Sequence, residues 1–131
     1  MRYTVKSDKK EKPMKDADIP TQKETDDIIL FLLQNGFTRS PLEIVHNIAI
    51  LIRRNLCDPD IVMRNEYREL AATREKPDNL RARLRHHIKL NFDAVRDAVM
   101  KKFGFDIREF LGVKSFIDQM TLVYAAYARK S

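Results

Sequence analysis

Apolar residues recur at helical spacing along most of the chain that follows the first two dozen residues. The run Ile28–Leu33 is apolar on nearly every side. It predicts a first helix that is capped by Thr25, ended by Gly36 and buried on more than one face. The segment Ser40–Glu43 combines an N-cap serine, a proline at the first helical position and a glutamate that can close a capping box. A second helix is therefore expected from there to about Asn55.

Two further apolar stripes lie on either side of Lys76-Pro77. Asp58-Pro59 predicts the start of the segment that carries the first stripe. Because each stripe recurs every three or four residues, the pattern predicts two short helices that meet across a tight turn, a helix-turn-helix at about residues 66–91. The first stripe is Tyr67, Leu70 and Ala71, and the second is Leu80, Leu84 and Ile88.

The remainder of the chain also has a helical pattern. Asp93 is expected to cap a short helix that Gly104 ends, and Ser115-x-x-Asp118 is expected to start the last one. Residues 1–23 mix lysine, acidic residues and proline with little apolar periodicity, which predicts a disordered charged tail. The expected fold is therefore all-α: a compact bundle of about six helices in a domain at 24–131, containing the helix-turn-helix, with a flexible N-terminal tail.

Composition supports a basic globular protein. The chain has 131 residues, a net charge of +6 and a sequence pI near 9.5, which favours polyanionic partners, with nucleic acid first and an anionic membrane surface second. Cys57 is the only cysteine, so an intramolecular disulfide is excluded, and it is expected to be a small core residue. Without a secretory signal or a membrane-spanning segment, the sequence predicts a cytoplasmic protein with no membrane partner.

The second helix of the predicted helix-turn-helix has a polar and basic outer side. Lysine and arginine neutralise phosphates, whereas side chains that reach base edges specify sequence. We expect Asn79 and Arg83 to contact base edges, and Ala82 to lie near a thymine methyl group and let the backbone approach closely. His86 suits either role. The residues expected to contact phosphates are Arg81, Arg85 and Lys89, with Arg74 and Lys76 at the turn.

The sequence contains no pattern typical of catalysis or of metal binding. His86 and His87 diverge by about 100° on a helix, so they are interpreted as structural side chains and not as metal ligands. The three histidines and one cysteine suggest no nucleophile and base, and glycine-rich phosphate loops are absent from the sequence. The chain is therefore expected not to be an enzyme and to need no cofactor.

The order of these parts resembles the DNA-binding effector domain of the sporulation response regulator, stage-zero sporulation protein A, over the span Ile28–Arg129. RHHI, followed by an aromatic residue at Phe92, is the most specific piece. The matching segments are ILFLLQNGF, the capped second helix, YRELA followed by LRARLRHHIKLNF, KKFGF and SFIDQMTLVYAAYARKS. The resemblance implies a bacterial, all-helical domain that binds DNA in the major groove, often as paired or tandem protomers.

Two departures from that family limit what the resemblance implies. The family's regulator has a receiver domain before its effector domain, and the short tail has no room for one, so phosphorelay control is not implied. The first turn of the recognition helix is Asp78-Asn79-Leu80-Arg81-Ala82. It lacks the family's base-contacting arginine and glutamate, and the preceding turn is about one residue shorter. The family's target sequence is therefore not expected to apply.

These observations predict a sequence-specific protein that binds double-stranded DNA and acts as a transcription regulator. The alternative is a small helical protein-interaction adaptor encoded by a phage or mobile element, with Tyr124 and Tyr127 as an aromatic contact patch. RNA binding is a third possibility, but the sequence lacks an exposed aromatic platform for unpaired bases.

Overall fold

A computed structural model describes residues 22–130 of the protein, and this range forms five α-helices without a β-strand. The all-α prediction is confirmed, although the expected number of about six helices is too high by one. The helices are α1 (Gln22–Gln34), α2 (Leu42–Cys57), α3 (Met63–Ala71), α4 (Pro77–Phe103) and α5 (Val113–Lys130).

The core lies where α2 packs between α1 and α5, and α4 packs against both α3 and α5. Phe31, Phe37 and Phe116 are the largest side chains that are fully buried there. Polar contacts also join the helices: Arg53 of α2 pairs with Glu24 of α1 at 2.9 Å. Burial of these aromatic and aliphatic side chains provides most of the stability expected for a bundle of this size.

The starts of α1, α2 and α5 differ from the sequence expectation. Thr25 is buried inside α1, so the predicted cap there is wrong. Pro41 occupies the N-cap position of α2, and Ser40 does not cap the helix. The Ser40 hydroxyl instead lies 2.8 Å from Nδ1 of His87 on α4, a partner that is distant in sequence. α5 begins at Val113, two positions before the predicted Ser115.

The connection between α2 and α3 is longer than predicted. The expected helix start at Asp58-Pro59 is wrong, since the Asp58 side chain accepts a hydrogen bond from the Asp60 amide at 3.0 Å and α3 begins at Met63. Cys57 at the end of α2 is exposed and contacts Arg53, so the expectation that it is a core residue is also wrong.

The predicted recognition helix and the predicted short helix after it are one continuous helix. Asp93 is an exposed residue inside α4 and caps no separate helix. The burial pattern continues through it, because Phe92, Val95 and Val99 extend the stripe that begins at Leu80. α4 ends where predicted, with Gly104 in the left-handed conformation at φ 67°.

The predicted tail spans residues 1–23. Residues 1–21 lie outside the described residues, and Gln22 and Lys23 form the first turn of α1. Within residues 22–130, none of the helices combines the length and the apolar character needed to cross a membrane.

Candidate nucleic-acid interface

The candidate interface consists of α3, the connection at 72–76 and the N-terminal half of α4. Tyr67 and Ala71 of α3 are buried, and Leu70 is partly buried against the same core. Leu80, Leu84 and Ile88 of α4 are buried to 1% exposure or less. Both predicted apolar stripes therefore face the core, and the opposite side of α4 faces solvent.

The solvent-facing side of α4 carries most of the residues that were predicted to contact DNA. These residues are spread over the first three to four turns, with Ala82 on the outermost line of the helix. Three of them, Arg81, Arg85 and Lys89, have no ion-pair partner among residues 22–130. The exposed residues are Asn79, Arg81, Ala82, Arg85, His86 and Lys89.

Arg83, which is predicted to contact a base edge, has its guanidinium group hydrogen-bonded within the protein. Nε and Nη2 donate to the two carboxylate oxygens of Glu75 at 3.2 and 2.6 Å. A second carboxylate, that of Glu43, lies 3.9 Å from Nη2 of Arg83. Two of the five N–H donors of Arg83 are therefore engaged by Glu75, which holds the guanidinium group toward the connection at 72–76.

The two basic residues of the connection are exposed. Arg74 donates from Nη2 to the carbonyl oxygen of Leu70 at 3.0 Å, which satisfies one of the last carbonyl groups of α3. Lys76 is the N-cap residue of α4, and its carbonyl oxygen accepts from the amides of Asn79 and Leu80. Lys76 lines a surface recess with Pro77 and Asp78 of the first turn of α4, whereas the Arg74 guanidinium group is held at the C-terminal end of α3.

Two contacts on the flanks of α4 restrict its side chains. The guanidinium carbon of Arg85 lies 5.0 Å from the ring centre of Phe110, a cation–π geometry that extends the arginine along the protein surface. The rings of His86 and His87 are 5.1 Å apart. Burial, with smaller contributions from His86 and Arg83, lowers the pKa of His87, so its imidazole is neutral near pH 7.

Asn91 joins α4 to the segment that precedes α2. Its side chain is fully buried, and its Oδ1 accepts from the Arg39 amide at 2.9 Å. Its Nδ2 donates to Ser40 Oγ at 2.9 Å and to the His87 carbonyl oxygen at 2.8 Å. This network ties α4 to the segment before α2, and it was not predicted from the sequence because the partners on the two segments are about fifty positions apart.

A cleft of about 640 Å³ lies beside the exposed face of α4. Arg64 of α3 and Lys114 of α5 line it together with Arg81 and Arg85. Burial raises the pKa of Tyr67 in the cleft wall, and the charge of Arg81 opposes that shift. Arg64 and Lys114 did not belong to the predicted contact set, since no local pattern joins them to α4.

The geometry of residues 22–130 bears on two alternatives, a metal site and an aromatic contact patch. Among residues 22–130, no group of three or more histidine, cysteine or acidic side chains has an arrangement suited to a metal ion. Tyr124 and Tyr127, the aromatic patch expected for a protein-interaction adaptor, are half-buried. Their ring centres lie 5.2 and 5.1 Å from that of Phe31, so both rings take part in packing α5 against α1.

Comparison of the chain with protein-family models, with curated proteins and with solved structures found no match. The sequence resemblance to the sporulation-regulator effector domain therefore stays a prediction, and a functional assignment depends on the geometry of the α3–α4 face.

Proposed function

We propose that this protein binds double-stranded DNA sequence-specifically, with the N-terminal half of α4 in the major groove and α3 supporting it as the first helix of a helix-turn-helix. One observation carries the proposal: the exposed side of α4 presents Arg81, Arg85 and Lys89 without ion-pair partners in residues 22–130, while its other side is anchored in the core. An α-helix fits the major groove of B-DNA, and unpaired cations along its flanks suit the phosphates on either side.

The roles follow from the positions of the side chains. Asn79 and His86 are exposed on the outer side of α4 and are proposed to contact base edges, with Ala82 between them at a thymine methyl group. Arg83 is instead proposed to act through Glu75, holding the connection at 72–76 against α4. The proposed phosphate contacts are Arg74, Lys76, Arg81, Arg85 and Lys89.

The biological role proposed with this activity is transcription regulation in the cytoplasm of a bacterium, as the resemblance to the sporulation-regulator effector domain implies. The same resemblance favours paired or tandem protomers on DNA. A single α4 of this kind contacts only a few base pairs, so two protomers on adjacent half-sites would supply the specificity that one lacks.

The test is selection of bound duplexes from a random-sequence pool, followed by affinity measurements on the selected sequence and on a scrambled one. We expect the wild-type protein to prefer the selected duplex by about a thousandfold or more. Ala82→Gln should remove most of that preference, because the longer side chain holds the helix away from the bases, while leaving binding to the scrambled duplex nearly unchanged.

Ala126→Gln is the matched control, because Ala126 is also an exposed alanine on a helix but lies on α5. It should leave both affinities unchanged. Failure of the selection to enrich any sequence, or equal effects of the two substitutions on the selected duplex, would refute the proposed orientation of α4.

A further inference from the structure

A cleft lies between α3, the N-terminal half of α4 and the segment 111–115. Its lining has more cationic than acidic side chains. Four cationic side chains line it, and Asp78 is the one acidic side chain among the lining residues. Of the four, only Lys114 has an ion-pair partner within residues 22–130, the Asp118 carboxylate at 2.6 Å. The cationic residues are Arg64, Arg81, Arg85 and Lys114. Like charges that converge in a concave site repel one another and attract anions.

The other walls of the cleft are apolar. Met63, Tyr67 and Val113 line it, and Leu111 stands at its edge with 70% of its surface exposed. A large apolar side chain so exposed beside a cationic cluster suits a ligand that has both an anionic group and an organic body. The volume of about 640 Å³ is within the range of small-molecule sites.

The start of α5 lies at the same cleft. In an α-helix, the first amides have no acceptor within the helix, and here those amides belong to Val113, Lys114 and Ser115, which all line the cleft. Guanidinium groups bind phosphate oxygens in bidentate fashion, and backbone amides can complete the coordination of the same group.

We propose that this cleft is a binding site for a small organic phosphate, with Arg64, Arg81 and Lys114 holding the phosphate group and Tyr67, Val113 and Leu111 packing against its organic part. The site goes beyond DNA binding and does not depend on it. Arg64 and Lys114 lie outside the proposed DNA-contact set, whereas Arg81 belongs to both, so an occupied cleft would compete with DNA for Arg81.

The test is titration of the ¹⁵N-labelled full chain, without DNA, with phenyl phosphate, adenosine 5′-monophosphate, adenosine and inorganic phosphate, followed by amide chemical shifts. We expect at least one of the two organic phosphates to bind saturably and to shift the amides of Tyr67, Arg81 and residues 113–115. Adenosine and inorganic phosphate should each bind at least about tenfold more weakly. Adenosine lacks the phosphate group that the cationic residues hold, and inorganic phosphate lacks the organic part that packs on the apolar wall.

Arg64→Gln and Lys114→Gln should each weaken the organic phosphate by about tenfold, and Arg129→Gln should not. Arg129 is a matched control, since it is an exposed arginine at the opposite end of α5 from the cleft. The dispersion of the amide spectrum verifies that each variant remains folded.

The proposal is overturned if neither organic phosphate binds more tightly than roughly 10 mM, or if the two cleft variants bind as the wild type does. It is also overturned if a DNA duplex shifts the cleft amides while neither organic phosphate does, since the cleft would then serve the DNA backbone. Loss of duplex binding alone leaves this titration unaffected, so the two proposals fail separately.

Discussion

Arg83 of α4 and Glu75 of the α3–α4 connection form a two-point ion pair, with Nε to Oε1 at 3.2 Å and Nη2 to Oε2 at 2.6 Å. The hydrogen bonds from Arg83 hold the pKa of Glu75 below its usual value. Both side chains are only partly exposed, at 39% and 23% for Arg83 and Glu75. The pair therefore clamps the connection onto the first turns of α4.

If Arg83 acts through Glu75, then Arg83→Ala and Glu75→Gln should have the same consequences. We expect each to lower the free energy of unfolding by about 0.5–1 kcal/mol, as for a partly exposed ion pair. The two substitutions should also weaken binding to the selected duplex by the same factor as each other. Urea unfolding and duplex titration measure the two effects. A change of base preference in Arg83→Ala that Glu75→Gln does not show would restore the base-contact role for Arg83.

Asn91 should be important for stability, because its amide joins α4 to the Arg39–Ser40 segment while fully buried. Asn91→Ala leaves the Arg39 amide without its acceptor, so a loss of about 1–3 kcal/mol is expected. Asn65→Ala, at an exposed position of α3, is the matched control and should change stability by about 0.5 kcal/mol or less. Equal midpoints of urea unfolding for the two variants would show that the network does not orient α4.

Gly36 is predicted to be intolerant of any side chain. Its φ is +98°, and a Cβ there would lie 2.6 Å from the Ala94 carbonyl oxygen and 2.8 Å from the Val95 amide nitrogen. Gly36→Ala therefore combines backbone strain with a collision against α4, and we expect a loss of about 2–5 kcal/mol.

Gly104→Ala separates these two causes. Gly104 also has a positive φ, at +67°, but within residues 22–130 no atom beyond its chain neighbours lies within 4 Å of a Cβ built there. The strain of the left-handed conformation alone should cost about 1–2 kcal/mol. Thermal unfolding of both variants checks the difference, and similar losses would mean that the chain before α2 does not pack closely on α4.

The stability of the protein should fall as the pH drops below 6.5 through the titration of His87. Burial lowers the pKa of this imidazole in the folded protein from its usual value of 6.5, so the unfolded chain binds a proton at a higher pH than the folded one. The contribution of the neutral His87 imidazole to stability is therefore complete above pH 6.5, and it is lost as the pH falls toward the folded-state pKa.

Unfolding in urea between about pH 7.5 and about pH 5.5 measures this effect. The wild-type protein should lose more stability over that interval than His87→Gln, which cannot gain the proton. Parallel pH profiles for the two proteins would contradict the assignment.

Much of the core was accessible from the sequence, since the Leu80, Leu84 and Ile88 stripe is buried as its spacing predicts. The continuity of α4 was also detectable in principle, because Val95 and Val99 extend the stripe and neither glycine nor proline interrupts it. Asp93 was interpreted as a cap because aspartate suits both a cap and an exposed helix position. Local preference does not distinguish the two.

Contacts between distant segments were not accessible from the sequence. Ser40 has every local feature of an N-cap, yet its hydroxyl contacts His87 and Asn91 of α4. Arg64 and Lys114 meet at one cleft although fifty positions separate them. Neither periodicity nor spacing encodes such pairs, because they depend on how the helices pack.

The salt dependence of duplex binding tests the central claim most directly. Fluorescence anisotropy of a labelled duplex would be measured at several salt concentrations for the wild type, Lys89→Gln and Arg129→Gln. We expect binding that weakens steeply with salt, a slope that falls by about one unit in Lys89→Gln, and no change in Arg129→Gln. Absence of duplex binding at low salt, or identical slopes in all three proteins, would contradict the assignment of the α4 face to DNA.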